Sequence, residues 1–359
     1  MFKTQTTLDS FFTNSSGNKK DDYQIKRYFY LIWENKFKPT LQAYWCDKKP
    51  SKVNFIDQIK CDYIKKGYYF YICGYFPDID EQEYKLSKEK IYKNIPYLKS
   101  HLQKCIRKQN DILAIPTCYH FLKLDLNELI RRLPIIMIED TFLHESFTTL
   151  IWLMIAISTK KFKMKKYIYE WVLGVVYLLC IINEKDYVNK ENLKNNMISN
   201  VIPNIISNIE LLNNYNDLTE SQISLLYSMH MRISYGGLKS DTEMINSFLN
   251  LWEYRFRNNS QNVNKIEIRP ITLFVQELSL EDWDLSAIDF HCNSKFLEYI
   301  SKKYDYIDSE ELKKIIWNHS SSINKRENIK NYDLRDIEQW NKIKDHVIKT
   351  QKYLLNSSY

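Results

Sequence analysis

Apolar and polar positions alternate along this chain with four different rhythms. Residues 1–22 carry Leu8, Phe11 and Phe12 near the start and then the polar run Thr13–Asp22, so they predict a disordered segment with no core of its own. Residues 23–95 hold two compact aromatic runs, Tyr28-Phe29-Tyr30-Leu31-Ile32-Trp33 and Tyr68-Tyr69-Phe70-Tyr71-Ile72-Cys73, each bounded by turn residues. Such runs predict strands, or strands mixed with helix, in a small aromatic-rich α+β subdomain. From 96 to 260 the period becomes helical. Leu98, Leu102, Cys105 and Ile106 share one stripe, as do Leu122, Leu126, Leu129, Ile130 and Leu133, and Pro134 is placed to start the next helix. Helices are expected over 146–159, 165–183, 190–212 with a bend or break at Pro203, and 218–233. Tyr235-Gly236-Gly237 reads as a turn, and Asp241 as the cap of a helix reaching about Phe256. The last stretch, 261–359, is again mostly helical, with Ser309-Glu310-Glu311 opening one helix and Asp333 another. The expected fold class is therefore mainly α: a multi-helix body behind a small α+β part, with no internal repeat or heptad pattern.

Composition narrows the picture. With 44% hydrophobic and 26% charged residues the chain can bury a proper core. Its net charge of +7, from 51 Lys and Arg against 44 Asp and Glu, is compatible with nucleic acid without requiring it. The seven cysteines are scattered and include no C-x-x-C pair, which argues against a disulfide scaffold or zinc ribbon and for a reducing compartment. Met1–Asp22 has no apolar stretch of signal-peptide length. Leu150–Ser158 and Trp171–Ile182 are too short to span a bilayer and are separated by the Lys-rich run 160–166, so no membrane is expected as a partner. Abundant Lys, Asn, Ile and Tyr suggest an AT-rich genome, as in a protist or a large DNA virus. Lysines interleave with the aromatics of 23–95 and could neutralise phosphates beside stacked bases. The same pattern also describes an aromatic core under a lysine-bearing surface.

The most informative residues are Gln5-Thr6-Thr7-Leu8-Asp9-Ser10-Phe11-Phe12. In one 3₁₀ turn Leu8, Phe11 and Phe12 project from the same side as an apolar plug, with Gln5 upstream to reach backbone groups. This spacing resembles the PCNA-interacting peptide, or PIP box, that docks proteins on the replication sliding clamp. Similar N-terminal hooks occur on nuclear uracil-DNA glycosylase, DNA ligase and mismatch-repair subunits. The resemblance implies PCNA as partner, through Gln5, Leu8, Phe11 and Phe12, and a nuclear or viral replication compartment. The alternative is that Leu8, Phe11 and Phe12 pack onto the chain's own core.

A second resemblance lies in the middle. Ser100-His101-Leu102-Gln103-Lys104-Cys105-Ile106-Arg107-Lys108, then Leu129-Ile130-Arg131-Arg132-Leu133, then Ile138-Glu139-Asp140, is similar to the helical region that follows the ATPase module in RarA/MgsA-type clamp-loader-related proteins. It covers 100–140 and implies a collar-like helical fold in a family that acts at stalled forks. No G-x-x-x-x-G-K-[S/T] phosphate cradle is present, so the ATPase itself is not expected. The Arg131-Arg132 and Glu139-Asp140 pairs read more simply as intramolecular charge partners, though residues 131 and 139, two turns apart, would not meet directly on one straight helix.

Candidate chemistry concentrates between 282 and 326. Asp282-Trp283-Asp284, Asp289-Phe290-His291-Cys292 and Trp317-Asn318-His319-Ser320-Ser321-Ser322, with Asn324 and Arg326, supply bases, a thiol and metal-ligating types. Asp289, His291 and His319 could hold a divalent metal for phosphodiester hydrolysis, and Cys292 with either His could form a thiolate pair. Neither spacing matches a motif with a known mechanism, and a tract of helix-capping Asp, Ser and Asn would look the same. Tyr235–Asp241 could likewise present backbone N–H groups to a phosphate or simply join two helices. No cofactor is expected. The expectation is a PCNA-tethered accessory factor in DNA replication or repair that acts by binding, with DNA as a further partner. A metal-dependent nuclease and a structural or host-interaction protein are the alternatives.

Overall fold

The structure, a computed structural model, describes residues 27–34, 40–61, 69–76, 94–187, 215, 217–273, 283–288, 291–327 and 334–357. The hook residues Gln5, Leu8, Phe11 and Phe12, the expected helix over 190–212, Asp289 and Asp333 lie outside them. Four strands come first: β1 (Tyr28–Glu34), β2 (Thr40–Cys46), β3 (Phe55–Lys60) and β4 (Tyr69–Tyr75). They form one sheet in the order β2-β1-β4-β3, with β1 and β4 parallel at its centre and an antiparallel strand on each side. Both aromatic runs are thus central strands. The edge strands β2 and β3 have their apolar residues interrupted by polar ones and carry no comparable aromatic run.

Period-two alternation turns Phe29, Leu31, Leu41, Ala43, Trp45, Ile59, Phe70 and Ile72 toward the helices. Among the described residues of 23–95, these buried aromatics are core rather than a base-stacking surface. The free edge of β2 is closed by side chains, a common protection for an exposed row of amides. The amides of Ala43 and Trp45 donate to Thr149 Oγ1 at 3.1 Å and Ser224 Oγ at 2.9 Å. Trp152 ties the central pair together from beneath, its Nε1 donating to the carbonyls of Phe29 at 2.9 Å and Cys73 at 3.1 Å. The sheet and the helical body therefore share one hydrophobic core.

Ten α-helices follow among the described residues: α1 (Ile95–Arg107), α2 (Asp111–Leu124), α3 (Leu126–Asp140), α4 (Ser146–Ser158), α5 (Lys166–Ile181), α6 (Glu220–Ser234), α7 (Lys239–Arg257), α8 (Ser294–Ser301), α9 (Ser309–Ile316) and α10 (Leu334–Ser357). Side-chain caps set many starts: Asn94 for α1, Asn110 for α2, Asp125 for α3, Asn293 for α8, Asp308 for α9, and a Thr219–Gln222 capping box for α6. Asp125 also ends α2, so the expected stripe from Leu122 to Leu133 is cut between two helices. Pro134 does not start a helix but lies inside α3. A proline there costs about 3 kcal/mol. Burial of Leu129, Ile130, Leu133, Ile135, Ile136 and Ile138 on both sides of it outweighs that, at roughly 1.5–3 kcal/mol per side chain. Asp241 sits in the first turn of α7 rather than at its cap, which is Leu238. No helix among the described residues is long and apolar enough to cross a membrane.

The C-terminal helices α8, α9 and α10 enclose a second core of Cys292, Phe296, Leu297, Ile300, Ile307, Leu312, Ile315, Ile316, Ile343 and Val347. Between α9 and α10 runs a π-helical turn, Trp317–Ser321, and a short 3₁₀ turn, Leu285–Ala287, precedes α8.

Gly174 allows the segment after α7 to lie directly on α5. A Cβ added there would stand 2.3 Å from the Arg269 carbonyl oxygen, a backbone atom that has to move. Gly174→Ala is therefore expected to lower stability by about 1–3 kcal/mol through overpacking. Urea unfolding followed by tryptophan fluorescence checks this, and a change below about 0.5 kcal/mol, the range of ordinary surface substitutions, would refute the tight approach.

Candidate functional site

The two cores meet at a junction built from polar side chains, drawn from the 100–108 and 139–140 stretches and from Asp284, Ser321, Asn324 and Arg326. Helix α1 contributes His101, Gln103, Lys104 and Arg107, all buried, and the half-buried Lys108. Asp140, at the end of α3, is fully buried and accepts from Arg107 Nε at 2.5 Å and Gln103 Nε2 at 2.7 Å. Arg107 also donates to Glu139 Oε1 at 3.0 Å. Burial alone would lower the Arg107 pKa, but Asp140 and Glu139 beside it more than reverse that, and the guanidinium stays charged. Arg132 approaches Glu139 at 3.7 Å and Asp241 at 3.5 Å. The Arg and Glu-Asp pairs thus form an intramolecular network whose main members are supplied by α1, as well as within α3.

From the other side, residues 321–327 insert among helix ends. Lys104 Nζ donates to the Ser321 carbonyl, and Arg107 reaches the same oxygen at 3.4 Å. Asn324 Nδ2 donates to the Asp140 carbonyl at 3.1 Å. Arg326 serves the C-terminal carbonyls of three helices. It donates to Ile106 of α1 at 2.7 Å, to Asp140 of α3 at 3.4 Å, and beyond these to Leu179, to Cys180 at 3.2 Å and to Ile182 at 2.6 Å around the end of α5. The last carbonyls of a helix have no partner within it and carry the negative end of its dipole, so one cation among three such ends is well placed. Sequence reading had grouped Asn324 and Arg326 with candidate chemistry, whereas the structure uses both as caps.

Asp284 joins from the 3₁₀ turn. Lys108 Nζ lies 2.7 Å from its carboxylate, and its backbone N–H donates to His101 Nε2 at 2.9 Å. Burial pushes the Asp284 pKa up, but Lys108 and Ser286 pull it below the ordinary carboxylate value. The His101 ring then has one tautomer: Nε2 accepts, so Nδ1 carries the proton and faces Thr117 Oγ1 at 2.8 Å. Burial lowers its pKa to about 4. Lys104 is brought down to about 7, first by burial and then by Arg107 and Lys108. The nearby thiols are not activated: burial pushes Cys105 well up and Cys180 to about 12.

The weak catalytic candidates fall elsewhere. His291 is exposed, its ring 6.1 Å from that of Trp317 and nearly parallel to it. His319 stacks on Trp340 at 5.7 Å, with its pKa lowered by burial against the opposing field of Asp336. Cys292 is buried in the second core at φ 51°, its Sγ 4.0 Å from Ser321 Oγ. The two histidines thus face different tryptophans, and Asp289 lies outside the described residues. Among the described residues no group of three His, Cys, Asp or Glu side chains is placed to hold a metal ion. At the Tyr235-Gly236-Gly237 turn, Arg232 donates to the Gly236 carbonyl at 2.6 Å and closes the end of its own helix α6.

The sequence does not show Lys104, Arg107 and Arg326 to be partners of one junction. One signal was available: α1 is buried over its whole C-terminal half, and charged residues on such a helix need partners. Compared with known protein families, curated proteins and solved structures, the chain matches none.

Proposed function

We propose that this chain is a PCNA-tethered accessory factor in DNA replication or repair that acts by binding. The observation that carries the reading is the Gln5–Phe12 spacing near the start of the chain, followed by a polar lead. In the described body the charged groups around Asp140 and Arg326 join two cores and close helix ends. Tethering through this segment raises the local concentration of the rest of the chain at the clamp, so that modest contacts become effective.

Calorimetric titration of the full-length chain into PCNA of the source organism or its host tests this. Micromolar affinity is expected, or about −8 kcal/mol. The Phe11→Ala/Phe12→Ala chain should bind at least about thirtyfold more weakly, as expected when aromatic anchors are removed. Wild-type affinity in that variant, or no heat with either chain, would end the clamp reading.

A further inference from the structure

The seam between α8 and α10 exposes a patch of aromatic and basic side chains. Tyr299 is 45% exposed, Tyr306 64% and Tyr353 58%. Single exposed aromatics are ordinary on protein surfaces. These differ in being clustered and held. Tyr299 and Tyr353 have ring centroids 5.9 Å apart, and Tyr304 stands 6.1 Å from Tyr306 and 5.8 Å from His346. The Tyr304 hydroxyl donates to the Lys342 carbonyl at 3.1 Å, and His346 Nε2 lies 3.4 Å from the Tyr299 carbonyl. The Tyr304 and His346 rings are thereby held along the line where the two helices meet, with the rings of Tyr299, Tyr306 and Tyr353 beside them.

Lysines accompany the rings. Lys302 Nζ lies 5.8 Å from the Tyr299 ring centroid and Lys303 Nζ 5.7 Å from that of Tyr304. On α10, Lys342, His346, Lys349 and Tyr353 follow one another at four, three and four residues, the spacing of a single helix face. Within 298–306 and 342–353 there are six lysines against three acidic residues, Glu298, Asp305 and Asp345, and Glu298 pairs with Lys302 at 3.3 Å. The partner that fits is anionic and offers flat faces for stacking. A duplex hides the faces of its bases, whereas a single strand presents both phosphates and free faces.

The geometry points to this seam as a binding surface for single-stranded nucleic acid, with Tyr299, Tyr306 and Tyr353 stacking bases and Lys302, Lys303, Lys342 and Lys349 neutralising phosphates. The inference deepens the accessory-factor reading by giving the body its own contact with DNA, and on that reading the strand is DNA. Its test uses no clamp, so the two can fail separately.

The experiment is fluorescence anisotropy of the full-length chain with a labelled oligothymidylate of about twenty nucleotides, over a range of salt upward from about 50 mM. Oligouridylate, a duplex of equal length and phosphatidylserine vesicles form the parallel arms. Expected are saturable binding to the oligothymidylate at least about tenfold tighter than to the duplex, and at least about tenfold weaker binding by Tyr306→Ala/Tyr353→Ala, both exposed sites whose loss leaves the fold intact. Lys342→Gln/Lys349→Gln should flatten the slope of log affinity against log salt by about 1.4, or about 0.7 per phosphate released. Phe11→Ala/Phe12→Ala should bind the oligonucleotide as the wild type does. Tighter binding to oligouridylate would retain the surface and change its ligand to RNA. No saturable binding, equal affinity for duplex, unaltered binding by the tyrosine variant, or preference for the vesicles would overturn the inference.

Discussion

Arg326→Ala is expected to lower the stability of the protein by about 3–5 kcal/mol, the largest effect of any single substitution considered, because each buried group left without a partner costs about 1–3 kcal/mol. Removing the guanidinium takes the donor from Leu179 and Cys180, takes one of two donors from Ile106 and Ile182, where Gln109 also donates, and weakens the closure at Asp140. Arg326 is only half-buried, so water will reach some of these carbonyls, and the total stays well below the sum of four full penalties. Against a total stability of about 5–15 kcal/mol the loss is a large share. Arg326→Lys should recover less than half, since a point donor cannot reach three helix ends at once. Lys325→Ala is the control. The Lys325 side chain is exposed and its structural contribution is a backbone N–H that donates to the Arg107 carbonyl at 3.1 Å, which alanine keeps. Urea unfolding by circular dichroism should show Lys325→Ala within about 0.5 kcal/mol of wild type. A loss below about 1 kcal/mol for Arg326→Ala would mean that the three helix ends are satisfied without it.

That junction also shows what a linear reading can and cannot reach. Apolar runs and helical period located α4, α5 and α6 within about two residues, and Ser309-Glu310-Glu311 located the start of α9, because these signals are local: α4 and α5 are buried nearly all round. The aromatic runs marked β1 and β4 for the same reason: central strands are buried on much of their surface and read as apolar. Strands β2 and β3 were missed because what makes Thr40–Cys46 and Phe55–Lys60 strands is pairing with β1 and β4. Thr40, Gln42, Asp57, Gln58 and Lys60 are polar, and the adjacent Asp57 and Gln58 break the apolar run of β3. Pro134 misled because the rule for prolines is local, whereas the burial that carries α3 through it is tertiary. The junction was the least legible feature. Lys104, Asp140, Ser321 and Arg326 are more than two hundred positions apart at the extremes, and nothing along the chain pairs them. Glu139-Asp140 was correctly expected to find intramolecular partners, but Arg107 and Gln103 come from another helix. Spacing could exclude a direct 131–139 contact and could not supply the true partner.

The second large effect is acid sensitivity, and it follows from imidazoles whose pKa burial lowers to about 4: His230, and the two whose hydrogen bonds are resolved, His144 and His101. His144 Nδ1 accepts from the Ser146 amide at 3.0 Å, so its proton is on Nε2 and is donated to the Ile266 carbonyl at 2.9 Å. His101 is the mirror case, with Nε2 spent on the Asp284 amide and Nδ1 facing Thr117. In each ring the only lone pair is committed to a backbone N–H, so protonation must break a hydrogen bond inside the fold. Burial lowers both pKa values to about 4, with Asp284 opposing the shift at His101 and the Ile266 hydrogen bond opposing it at His144. An unfolded histidine titrates near 6.5, so below that pH the unfolded chain binds more protons than the native one and stability falls as pH falls. The loss is about 2 kcal/mol for each ring at pH 5 and about 3 kcal/mol below pH 4. Lys104 acts in the same direction: with its pKa brought down to about 7, its burden is present in full below neutrality and eases as pH rises toward the ordinary lysine value. The buried thiols act oppositely at the alkaline end. Burial holds Cys46 near 11 and Cys73 near 12, so above about pH 9 the unfolded chain ionises first and stability declines again. Urea unfolding across pH should therefore give a maximum between about pH 8 and 9 and a fall of at least about 4 kcal/mol from pH 7 to pH 5. In His144→Asn the amide oxygen can take the place of Nδ1 and accept from Ser146 without titrating. Its stability at pH 7 should drop by about 1 kcal/mol while its fall between pH 7 and pH 5 shrinks by about 2 kcal/mol. A variant with the full wild-type fall would show that His144 is not one of the groups that carry it.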